Sequence, residues 1–168
     1  MFSLVFPTLA IAFTLLSFVT STWAQNLLSL GNSYSIRSAA DDQLYSRYNG
    51  EGSPLLLGAE RGDDATWHLD GSGDGFVNIL HRESEKYPST AAGPHRPIIA
   101  SAGGHPTWWR VTHVGWRQYL ISHKVEDDQN GAFDAFWTVR EGSNQIWLDP
   151  KGGDNDQSQV WEFDQYEP

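Results

Sequence analysis

The chain contains no cysteine. That one absence excludes disulfide stapling, zinc–thiolate sites and a cysteine nucleophile. Basic residues are scarce and unclustered: 11 Lys and Arg stand against 21 Asp and Glu, for a formal net charge of −10. Such a chain offers little counter-charge to nucleic acid or an anionic membrane surface, and neither partner is expected. No window sustains a helical period of apolar residues. There is no Gly-x-Ser-x-Gly elbow, no phosphate loop and no His-Glu-x-x-His spacing. Six His are scattered at positions 68, 81, 95, 105, 113 and 123. The acidic groups at 126–128 and 154–156 lack a calcium-loop pattern, so no metal and no cofactor are expected. An enzyme is not expected either. Asn32-Ser33-Tyr34 stops one residue short of a glycosylation sequon.

The long apolar run that is present lies at the start. Residues 4–19 carry no charge and one proline, and Thr22-Trp23-Ala24 puts small residues where a signal peptidase reads. This pattern predicts a secretory leader over residues 1–24, with cleavage before Gln25. The run is shorter than the roughly 20 apolar residues that a membrane span needs. Residues 25–168 suffice for one domain with its own core, expected to be extracellular, disulfide-free and monomeric.

A repeat organises that domain. Three segments end in a Trp with an apolar residue two places on: Ala65-Thr66-Trp67-His68-Leu69, Thr107-Trp108-Trp109-Arg110-Val111 and Gln159-Val160-Trp161-Glu162-Phe163. Alternation of this kind places both side chains on one face of a strand. Each ending has a matching opening, at Tyr34-Ser35-Ile36, Val77-Asn78-Ile79 and Tyr119-Leu120-Ile121. The openings recur after 43 and 42 residues, the first two endings after 42, and the third ending after 52. A period near 42 means three structural units, about 30–71, 72–114 and 115–164. Turn residues divide each unit into four short strands: 34–37, 44–47, 54–57 and 66–69 in the first; 77–80, 87–90, 97–100 and 108–111 in the second; 118–122, 136–139, 145–148 and 160–163 in the third. The extra residues of the third unit are read as polar loops at 126–134 and 150–158. Twelve strands in three equivalent groups predict an all-β closed barrel, since closure removes exposed edges.

The opening Leu30-Gly31-Asn32-Ser33-Tyr34-Ser35-Ile36, the period and the Gln-x-Trp ending resemble a β-trefoil, the fold of ricin-B-type lectins and of fungal trefoil protease inhibitors. The resemblance covers residues 30–163 and implies six barrel strands capped by three hairpins. Within the fold, Tyr34-Ser35-Ile36-Arg37, Leu44-Tyr45-Ser46-Arg47, Trp67-His68-Leu69-Asp70 and Gln145-Ile146-Trp147-Leu148-Asp149-Pro150 resemble the fungal serine-protease inhibitors of the cospin type. That branch implies an inhibitor of a secreted or host protease; its members are usually intracellular, and the expectation of secretion here comes from the leader. Its reactive loop, carried onto this sequence, is residues 48–53, with Asn49 filling the pocket and Arg47, Tyr48, Gly50 and Glu51 around it. Asn-Gly is also what a tight turn requires.

The lectin branch implies a glycan partner. Ricin-type lectins hold sugar with an Asp after the Leu of the second strand and a stacked ring. The corresponding places here are Tyr45, Pro88 or Ser89, and Trp137 or Thr138, none of them Asp; the Gln of Gln-x-Trp survives only at Gln159. A glycan site in this chain is therefore expected on other aromatic residues of the outer face, Tyr48, Trp116, Trp137 or Trp147. Trp67, Trp109 and Trp161 are expected in the core.

Overall fold

The computed structural model describes residues 28–71, 75–90, 93–101, 106–127, 131–154 and 156–166. The expected leader and its cleavage point lie outside the described residues. Six strands close a barrel. Strand β1 (Ser33–Ser38) pairs antiparallel with β4 (Thr66–Gly71), and β4 with β5 (Phe76–His81). Next, β5 pairs with β9 (Trp108–Gly115), β9 with β10 (Gln118–Asp127), β10 with β13 (Val160–Gln165), and β13 returns to β1. Alternation decides what turns inward. Tyr34 and Ile36, Val77 and Ile79, and Tyr119 and Ile121 come from the opening strands, and Trp67, Trp109 and Trp161 from the closing ones. All three Trp are fully buried, as their period implies.

Three hairpins cap one end: β2 (Tyr45–Arg47) with β3 (Leu56–Gly58), β6 (Tyr87–Ser89) with β8 (Ile99–Ser101), and β11 (Gly131–Val139) with β12 (Ile146–Pro150). A two-residue strand, β7 (Arg96–Pro97), adds to β12. The hairpins are joined by a triangle of backbone bonds. Leu55 N donates to Ile98 O at 2.8 Å, Ile98 N to Ile146 O at 2.8 Å, and Ile146 N to Leu55 O at 3.1 Å. This is the β-trefoil architecture, with no α-helix among the described residues.

The repeats differ where the hairpins meet. Ser46, Pro88 and Trp137 hold equivalent places, opposite Leu57, Ala100 and Leu148. Trp137 is 0% exposed and meets Trp109 and Trp161 edge-on at 5.4 and 5.8 Å. One large ring thus fills space that two small residues leave, and Trp137 cannot serve as an outer-face sugar platform. The third repeat also corrects a loop. Residues 126–134 are mostly an extended arm of β10 and β11, with Glu126 opposite Ala132 and Asp127 opposite Gly131. The second extra segment is a true loop, stapled by Gln159. Its Nε2 donates to Thr138 Oγ1 at 3.0 Å and Pro150 O at 2.8 Å, while its Oε1 accepts from Gly152 N at 2.8 Å.

Candidate functional site

The segment 47–53 of the first repeat is a folded turn bound to its surroundings. Arg47 donates Nε to Asp64 Oδ2 at 2.7 Å and lies across Gly58, where a Cβ would come within 2.5 Å of its Cδ. Tyr48 N donates to Asp64 O at 2.7 Å, and its ring stacks on His81 at 4.5 Å. Gly50 and Gly52 adopt left-handed φ of 98° and 71°, which glycine accepts without a Cβ penalty. Gly52 N donates to Ala100 O at 2.7 Å and Ala100 N to Ser53 O at 3.0 Å, tying the turn to the second repeat. Glu51 pairs with Lys86 Nζ at 3.1 Å. Asn49 projects into solvent. Arg47 and Tyr48 are half-buried, each engaged by groups of the protein itself.

His81, behind Tyr48, is 1% exposed. Its Nδ1 accepts from Ser84 N at 3.2 Å and lies 2.8 Å from Ser84 Oγ, and its Nε2 faces Asp63 O at 3.1 Å. These partners select the neutral ring with the proton on Nε2. Burial holds the His81 pKa below 6.5, against the pull of the Asp63 carbonyl and the nearby Glu83, Asp64 and Asp63.

The four aromatic residues expected of a glycan site do not come together. Trp137 is core. Tyr48 is half-buried against His81. Trp147 donates Nε1 to Ser143 Oγ at 2.9 Å and carries the Arg140 guanidinium 4.0 Å above its ring. Trp116 stands 72% exposed on the β9–β10 turn, at the barrel end away from the hairpins.

A different group of residues forms a cleft. Phe133, Phe136 and Pro150 line its apolar part, and His95, Asp134 and Lys151 its polar part, around about 480 Å³. The β11–β12 register creates it, with Ala135 opposite Pro150 and Phe136 opposite Asp149. His95 takes a left-handed φ of 58°, donates its backbone N to Leu148 O at 2.7 Å, and sets Nδ1 3.2 Å from Asp149 Oδ1. Arg140 holds Asp149 from the other side through Nε at 2.8 Å and through Nη2. That hydrogen bond raises the Arg140 pKa above its ordinary value. Asp149, 14% exposed, is thus committed to orienting its neighbours. Asp134 and the His95 ring edge are left at the rim, with Lys151 loosely held by Asp154 at 3.4 Å. An apolar floor with a few polar rim groups suits a small polyhydroxylated ligand.

Register also corrects the position equivalent to the lectin Asp. Tyr45, Tyr87 and Phe136 pair with Gly58, Ser101 and Asp149, so the second and third members are Tyr87 and Phe136, one residue earlier than the sequence placed them. The aromatic residues of the cleft were missed for this reason. Phe133, three residues before Phe136, fell in a segment read as loop. Among the described residues no group of three or more His, Asp or Glu is arranged to hold a metal ion.

The sequence matches no protein-family model and no curated protein. Its structure is similar to several solved ones. The ricin B-like lectin of Macrolepiota procera, solved with lactose, superposes with a TM-score of 0.61 at 14% identity, covering 83% of this chain and 99% of that one. The Polyporus squamosus lectin, bound to Neu5Acα2-6Galβ1-4GlcNAc, gives 0.63 at 16% identity over 83% of this chain and 50% of that one. The designed threefold protein ThreeFoil gives 0.60 at 17% identity over 78% and 96%. At such identities the likeness establishes the fold, a β-trefoil.

Proposed function

We propose that this protein binds carbohydrate without chemical turnover, through the third-repeat cleft, as a secreted monomer. The observation that carries this reading is the pair Phe133 and Phe136 beside Asp134, His95 and Lys151. A sugar ring is apolar on its C–H face and edged with hydroxyls. Phe133 supplies the stacking surface, Asp134 accepts hydroxyl protons, and Lys151 and His95 donate to ring or hydroxyl oxygens. Trefoil lectins solved with lactose and with a sialylated trisaccharide support the class of ligand. The first-repeat turn gives the inhibitor reading less support, because a protease cleft takes an extended loop and this turn is kinked at Gly50 and Gly52.

The test is a glycan array with the purified protein and its Phe133→Ala variant. Binding of a defined glycan set should weaken about tenfold or more on losing the stacked ring. Unchanged binding by the variant would remove the cleft from consideration. No glycan binding, together with a stoichiometric block of trypsin or subtilisin, would install the inhibitor reading instead.

A further inference from the structure

The threefold repeat supplies an internal control for the barrel wall. Where two repeats meet, one residue from each of three neighbouring strands lines up in a row facing outward. The three rows are Asp164–Ser35–Thr66, Thr112–Leu120–Val160 and Asp70–Asn78–Trp108. Their central residues alternate with the buried Ile36, Ile121 and Ile79, which fixes the outward direction.

The first row is filled from within the chain. Asp164 pairs with Arg37 at 3.5 Å and with Arg117, and Ser35 Oγ accepts from Arg61 Nε at 2.9 Å. Arg61 also lies 5.8 Å over the Tyr166 ring. Carboxylate, polar acceptor and aromatic face are all satisfied by guanidinium groups. The second row is Thr, Leu and Val, with no charge to satisfy.

The third row keeps the carboxylate and the polar central residue of the first, has no arginine paired with either among the described residues, and puts a Trp where the first has Thr66. Asp70, with its side chain 56% exposed, has His68 Nε2 at 3.3 Å. Asn78 is 7% exposed, and its Oδ1 has no hydrogen-bond partner among the described residues. Trp108 is 41% exposed, where the other rows have the buried Thr66 and Val160. Arg110, two residues along β9, is turned onto the Phe76 ring at 5.0 Å. A buried acceptor left unpaired is costly, and a ligand donor that reached it would relieve that cost.

We infer that the Asp70–Asn78–Trp108 row is a second carbohydrate subsite, and that it takes an amino sugar with a free amine. This rests on the carbohydrate reading above and names a ligand class for a different face. The ammonium pairs with Asp70 and lies over the face of the Trp108 ring, the sugar's C–H groups stack on the same face, and a hydroxyl or amine proton reaches Asn78. The net charge of −10 attracts a cationic polymer and repels an anionic one.

Binding of a β1-4 glucosamine hexamer and of its fully N-acetylated counterpart should be measured by titration, following the Trp108 indole N–H resonance. The glucosamine hexamer should bind and shift that resonance. Asp70→Asn, an isosteric change at an exposed site, and Trp108→Ala should each weaken binding tenfold or more, and 0.5 M salt should weaken it further, about as expected for a Debye length of a few Å. Phe133→Ala should leave it unchanged, which separates this subsite from the cleft. Equal binding of the acetylated hexamer, or full affinity in both Asp70→Asn and Trp108→Ala, would overturn the inference. So would occupancy of Trp108 by an arginine-rich peptide when the hexamer does not bind.

Discussion

The hairpins of the first and third repeats occupy equivalent places and do opposite work. In the first, β2–β3 puts the small Ser46 at the meeting point and folds its turn back onto Asp64, His81 and Ala100. In the third, β11–β12 drives Trp137 into that meeting point, and the longer β10–β11 arm carries Phe133 and Asp134 out beside Phe136. Trp137 anchors the strand from within, and the arm it holds then supports a cleft. The first hairpin has no ring of that size at its meeting point and is tied through its backbone instead, by Trp67 Nε1 to Ser46 O at 3.1 Å and by the bonds of Leu55 to Ile98 and Ile146.

Breaking the anchor should have the largest effect. Trp137→Ala should lower unfolding free energy by about 3–5 kcal/mol in a denaturant titration, whereas Ser46→Ala, which removes a buried hydroxyl that has no hydrogen-bond partner among the described residues, should leave it unchanged or raise it by about 1 kcal/mol. A Ser46 effect equal to that of Trp137 would end the contrast between the hairpins. Next in size is the support of the cleft. Asp149→Asn should cost about 1 kcal/mol, because the Arg140 pair is partly exposed, and should reduce glycan affinity by releasing His95. Retained affinity would show that His95 needs no orientation.

The first-repeat turn offers a pH test. Above pH 6.5 both native and unfolded His81 are neutral. As pH falls below that value the unfolded chain takes up a proton that the buried native ring resists, so stability declines until the native ring is protonated as well. The melting temperature should therefore drop between pH 7.5 and 5.0, and drop less in His81→Gln. An equal drop in both proteins would assign the effect to carboxylates. Smallest of all is Trp116→Ser, expected within about 0.5 kcal/mol of the native stability by the same titration. The ring is exposed and neither hairpin depends on it.

The fold was legible because burial imposes alternation: Trp67, Trp109 and Trp161 had to repeat if three repeats were to share one core. The arm of β10 and β11 was not legible, because its outer part faces solvent widely. Glu126, Ala132 and Asp134 are exposed and carry little alternating pattern. Trp137 was misplaced for a related reason. Propensity marks a Trp as strand-like and says nothing of which face it takes, and that choice follows from a register shift of one residue. The cleft depends on the same register and on His95, distant in sequence, so only pairing could reveal it. Trp108 and Asn78 were visible as residues, but their alignment with Asp70 required the barrel to close.

The triangle of bonds through Leu55, Ile98 and Ile146 has a kinetic consequence. These residues are separated by 43 and 48 positions, so no two neighbouring repeats can complete it alone. A chain must collect all three units before any of them is capped. Folding should consequently be slow for its size and all-or-none, dominated by contacts between distant segments. Those three amides should exchange with solvent only through global opening, with one common opening free energy.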